Sequence, residues 1–204
     1  MKYAFTQTDF DVFTIDGLEN RMAELIKETR PKLEALGEHF SDYLTELTSD
    51  DTFAHVAKHA RRTTNPPDDT WVAFSTNPRG YKMMPHFQIG LYKDHAFCMY
   101  GIIYESKDKK KLAENWLSQL DKFDKLPRSY QVSLDHMKPE KTPLSQLSES
   151  DLEKGLIRLR DVKKGEFLVG KVYKVNDKAL QSDETFIKDL EKVFDNLLPF
   201  YHQN

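Results

Sequence analysis

Between residues 16 and 47 apolar side chains recur at Leu18, Met22, Leu25, Leu33, Leu36, Phe40, Tyr43 and Leu47. These spacings put them on one helical face. Pro31 removes a backbone donor and restricts Arg30, so the helix is expected to end or kink there and a second amphipathic helix to start, with the buried stripe keeping its phase across the break. Asp16 and Glu19 stand at the spacing of a capping box and are expected to open the first helix. From Phe53 to Tyr104 the rhythm changes to short runs rich in aromatic and β-branched residues. The turn formers Asn65-Pro66-Pro67-Asp68-Asp69, Asn77-Pro78-Arg79-Gly80 and Lys93-Asp94-His95 separate these runs. Strands are expected at about 53–61, 70–75, 84–92 and 96–105, pairing antiparallel, with the last two forming a hairpin.

A third helix is expected over about 108–126, with Leu112, Trp116, Leu117, Leu120 and Phe123 inward and Pro127 after its end. A strand at 130–134, a polar surface loop at 136–148, a short helix at 151–160 and a strand at 166–175 follow. Phe186, Leu190, Val193, Phe194, Leu197 and Tyr201 make a terminal amphipathic helix. Grouped strands flanked by helices predict an α+β fold: a mostly antiparallel sheet of about six strands, with helices packed on it in two or three layers. The length of 204 residues suits one domain spanning 1–204. A doubly wound nucleotide-binding fold is excluded, because the eight glycines form neither a dinucleotide fingerprint nor a P-loop.

A net charge of −3 provides no global field toward nucleic acid or anionic lipid, so any basic site must be local. The longest apolar run, Ala96 to Tyr104, falls far short of the ~20 residues of a membrane helix. The single cysteine, Cys98, lies inside that run, where thiols are inert core residues, and no internal disulfide can form. Met1 to Phe13 lacks the charged-then-apolar pattern of a secretion signal, and a cytoplasmic location without membrane contact is expected.

The block from His55-Val56-Ala57-Lys58-His59-Ala60-Arg61-Arg62 to Asn65-Pro66-Pro67, continued by Asp69-Thr70-Trp71-Val72-Ala73-Phe74, Arg79-Gly80-Tyr81-Lys82 and Pro85-His86-Phe87-Gln88, resembles the YktB-like family of cytosolic proteins from low-GC Gram-positive bacteria. So do Thr14-Ile15-Asp16-Gly17-Leu18 and the stretches Arg30-Pro31-Lys32-Leu33 and Gly37-Glu38-His39-Phe40. The resemblance covers nearly the whole chain. It implies a compact α/β sandwich, similar in topology to the catalytic layer of class II aminoacyl-tRNA synthetases and biotin ligases, and it carries no activity with it.

One local anomaly stands out in charge. Phe53 to Pro67 contains His55, Lys58, His59, Arg61 and Arg62 and no acidic residue. On a strand over 53–61, His55, His59 and Arg61 would share one side, and His86, Gln88 and Tyr92 would share a face of a neighbouring strand. Such a face suits the floor of a polar cleft, because buried cations are costly unless paired. Arg61, Arg62 and Arg79 can grip phosphate or carboxylate, the imidazoles of His55, His59 and His86 can donate or move a proton, and Trp71 and Tyr81 can stack on a ring. The bland alternative makes the same residues solvated edge charges and backbone-bonded histidines.

His55 and His59 would share a metal only on a helix. On a strand they stand ~13 Å apart, and Val56 occupies the place where a metalloprotease needs Glu. No metal and no cofactor is expected. Asp135-His136 closes a strand, a position that suits an active-site pair as well as an Asx turn. The leading reading is a binding protein for a small anionic ligand or a nucleic-acid end. An acid–base enzyme of acyl, nucleotidyl or phosphoryl transfer and a protein-interaction module are the alternatives.

Overall fold

A computed structural model describes residues 1–201. Its helices are α1 (Gln7–Asp11), α2 (Leu18–Glu24), α3 (Arg30–Thr48), α4 (Lys109–Leu117), α5 (Glu149–Asp161) and α6 (Asp183–Tyr201). The strands are β1 (Phe53–Val56), β2 (Asp69–Ser75), β3 (His86–Tyr92), β4 (His95–Ile102), β5 (Gln131–Ser133), β6 (Thr142–Pro143) and β7 (Phe167–Lys174). They form one antiparallel sheet of seven strands in the order β1-β2-β3-β4-β7-β5-β6. The α+β class and the β3–β4 hairpin follow the sequence pattern. The seventh strand, β6, lies in the segment read as a loop, and its proline is tolerated because it pairs only at the sheet edge.

Pro31 does not end the first helix. A π-helical turn over Leu25–Thr29 joins α2 to α3 and accommodates the missing donor, so Leu25, Leu33, Leu36, Phe40 and Leu44 form one buried stripe. The expected Asp16–Glu19 capping box is absent, since Gly17, at φ +83°, occupies the N-cap of α2. A capping box does form at the start of α5, where Ser148 and Asp151 exchange hydrogen bonds.

The sheet has two different faces. Val72, Phe74, Phe87, Ile89, Cys98, Tyr100 and Val169 pack with residues of α3, α4, α5 and α6 into the main core. The opposite face has a smaller cluster of Tyr92, Phe97, Met99, Ile103 and Leu168, joined by Trp71, Tyr81 and Val172, with no helical residue among them. Loops, rather than helices, flank this second face, and the candidate site lies there. No helix among the described residues is long and apolar enough to cross a membrane.

Candidate functional site

Strand alternation sends Trp71 of β2, His86, Gln88 and Tyr92 of β3, and Phe97 and Met99 of β4 to the face away from the helices. They floor a narrow, largely enclosed recess, walled by Asp69, Tyr81, Ser133, His136 and Lys141. Gly90 lets its aromatic neighbours close in. A Cβ there would stand 2.5 Å from Phe97 Cζ, 2.6 Å from the Thr70 carbonyl oxygen and 2.8 Å from Trp71 Cβ. Trp71 Nε1 donates to the Tyr81 hydroxyl at 3.0 Å, tying the wall to the floor.

The segment after β5 is stapled over this face from two directions. The Tyr92 hydroxyl donates to the carbonyls of His136 (2.9 Å) and Lys138 (3.2 Å). Glu166, 2% exposed, accepts from the backbone amides of His136 (2.7 Å) and Tyr104 (3.3 Å). It also accepts from His136 Nδ1 at 2.8 and 2.9 Å. This fixes the ring and keeps a proton on Nδ1. Burial opposes a charge on His136, but the hydrogen bond and negative charge of Glu166 outweigh it and raise the pKa.

Asp69 faces Tyr92 across the β2–β3 pair, and burial pushes its carboxyl up to about 6. Lys141 Nζ lies 4.6 Å from the Tyr92 ring centre and 5.1 Å from that of Phe97. It donates to the Pro139 carbonyl at 3.0 Å and contacts His95 Nε2 at 3.2 Å, and burial lowers it to about 8. His86 is fully enclosed. Its Nδ1 donates to the Met84 carbonyl at 2.9 Å, so Nε2 carries a lone pair, and that atom has no hydrogen-bond partner among the described residues. Burial drives His86 down to about 4, so the ring is neutral and Nε2 only accepts.

Of the candidate ligand-binding residues, the structure brings Trp71, Tyr81, His86 and Gln88 into this recess and sets His55 and His59 against its walls, with ring centres 6.0 Å from Tyr81 and 5.6 Å from Trp71. The strand expected over 53–61 ends at Val56, which undoes the shared face of His55, His59 and Arg61. His55 Nε2 bonds the Asn77 carbonyl oxygen at 2.9 Å. His59 sits in the left-handed region at φ +51°, with Nε2 3.3 Å from Thr70 Oγ1 and its pKa lowered by burial to about 4. Arg62 donates to the carbonyls of Asn65 and Pro66, closing its own loop. Arg61 and Arg79 are exposed. Arg61 and Arg79 therefore do not converge with the histidines, whereas the Arg62 charge acts on both His59 and Asp69.

Asp69, Glu166 and Lys141 were missed, because each is an ordinary residue locally and becomes chemical only through the partners the fold supplies. Asp135-His136 was visible at the end of its strand. Asp135 does form an Asx turn, accepting from the Met137 amide at 3.0 Å, while His136 joins the recess. Asp135, His136 and Glu166 place one potential metal ligand each within 4.8 Å of one another. The hydrogen bonds above already account for that cluster, since both Glu166 oxygens and His136 Nδ1 face each other.

Residues 5–201 match a family described as a domain of unknown function, DUF1054. A UPF0637 protein of Macrococcus caseolyticus is 54% identical over 200 residues, covering 98% of each chain. UPF0637 proteins of Staphylococcus haemolyticus and Staphylococcus aureus are each 49% identical over 200 residues, again covering 98% of each chain. These organisms are low-GC Gram-positive bacteria, in agreement with the resemblance in the sequence. With identity at this level along almost its entire length, the chain belongs to the DUF1054, or UPF0637, family.

Proposed function

We propose that the recess binds a small polar molecule and that His136, positioned by Glu166, is its general acid–base group. One observation carries the reading: a buried carboxylate holds the Nδ1 side of an imidazole at 2.8 Å while the same ring lines a recess. Such a pair sets the ring's orientation and keeps a protonated fraction at neutral pH, as a general acid requires. Two further features support it. The Gln88 amide gives the floor a polar group for orientation, and the Trp71 and Tyr81 rings give it flat apolar walls. The cations in the recess are His136 and Lys141, so a carboxylate or phosphate on the ligand would meet those two and not Arg61 or Arg79.

The test is native mass spectrometry of the chain purified from its own cytosol, paired with thermal-shift measurements against hydroxyl-, carbonyl- and carboxylate-bearing metabolites. A retained or stabilising compound should be lost in His136→Gln and kept in the Arg61→Ala/Arg79→Ala double variant. The reverse dependence would return the site to the basic stretch. A chain that retains nothing and is stabilised by none of the compounds would refute the reading.

A further inference from the structure

We propose that Lys141 is a nucleophilic amine that condenses with a carbonyl group on the molecule held in this recess. The proposal rests on the small-molecule reading above and narrows the ligand to an aldehyde or ketone. Lys141 lines both the recess and a shallower groove on its other side, formed with Asp94, His95, Gln131 and Glu140, so its amine stands where the two meet.

The hydrogen bonding suits a neutral amine. Lys141 has two neutral partners, the Pro139 carbonyl at 3.0 Å and His95 Nε2 at 3.2 Å. His95 Nδ1 faces Asp94 Oδ1 at 2.7 Å and carries its proton on that side, which leaves Nε2 as an acceptor. An uncharged amine has two N–H bonds, which these acceptors satisfy, and a lone pair left over. Burial disfavours the ammonium, while Asp69, Asp94 and Glu140 favour it, and burial prevails with a pKa of about 8. About a quarter of Lys141 is then free amine at pH 7.5, against about one part in a thousand for an exposed lysine near 10.4.

In the step itself the Nζ lone pair attacks the carbonyl carbon and the oxygen takes up a proton, giving a carbinolamine. Loss of water then forms the carbon–nitrogen double bond of an imine. Asp69, whose carboxyl lies near 6, and His136 border the same recess and can supply and recover those protons.

Glyoxylate with sodium cyanoborohydride tests this on the wild-type protein. The aldehyde and an amine give an imine and water, and hydride from the borohydride reduces the imine to a stable carboxymethyl-lysine. Peptide mapping of initial rates at pH 7.5 should show Lys141 labelled at least ~10-fold, and up to roughly 100-fold, faster than the exposed Lys138 and Lys154. From pH 7.5 to 9.5 the Lys141 rate should rise only about 4-fold and level off, while the exposed lysines rise about 100-fold. Lys141→Arg should remove the fast site and no other. Labelling of Lys141 no faster than Lys138, with no plateau, would overturn the proposal and make the residue a structural ammonium held on the Tyr92 and Phe97 rings. That outcome leaves ligand retention by the wild type, and its loss in His136→Gln, untouched, so the two readings fail separately.

Discussion

Replacing Glu166 with Gln removes a charge without removing volume, and so isolates what the carboxylate does for His136. Gln keeps one acceptor oxygen and turns the other into an NH₂ donor, which must face a donor already present, either the His136 amide at 2.7 Å or Nδ1 at 2.8 Å. Charge-assisted hydrogen bonds contribute about 1.5–3 kcal/mol each, and a neutral bond survives on one side, so the loss should be about 2–4 kcal/mol at pH 6. The pH dependence has a definite sign. His136 has a folded pKa raised above its unfolded value of ~6.5, so its contribution is fully present below that value and is lost as pH rises through the folded pKa. The stability gap between wild type and Glu166→Gln should therefore be widest near pH 6 and narrow by pH 9. With the carboxylate gone, burial should bring the His136 titration down. Denaturant unfolding at the two pH values, with a histidine titration followed by NMR, measures both effects. An unchanged titration, or a gap that widens at alkaline pH, would refute the account of the pair.

Gly90→Ala should cost about 1–3 kcal/mol of unfolding free energy, because its Cβ would overlap the Phe97 ring and the Thr70 carbonyl; an unchanged denaturation midpoint would show that the floor gives way easily. Cys98 is fully buried, and burial pushes its thiol well above the ordinary range, so iodoacetamide should alkylate it only on unfolding; rapid labelling of native protein would contradict that placement. Arg61→Ala and Arg79→Ala should each shift stability by less than ~0.5 kcal/mol in thermal or denaturant unfolding, and a larger loss would reveal a structural contact for either side chain.

The parts of the site that were legible in the sequence are those governed by a local rule. Alternation along β3 was enough to put His86, Gln88 and Tyr92 on one face, because that strand is regular and its hairpin partner lies two turn residues away. The same rule failed for His55, His59 and Arg61, because it holds only while the strand lasts, and β1 stops at Val56 before the chain turns at His59. A run of basic residues marks where charge is dense along the chain, and here the loop presents Arg61 to solvent and spends Arg62 on its own carbonyls. The pair that carries the site depends instead on a long-range pairing: β7 inserts between β4 and β5, bringing Glu166 beneath a loop thirty residues earlier in the chain. Nothing in the spacing of either segment encodes that insertion. What the sequence did contain was a carboxylate at the head of an apolar strand and a histidine at the end of another. Each violates the pattern of its own element, and a buried acid must find donors somewhere, so two such violations at strand ends are natural candidates to satisfy each other.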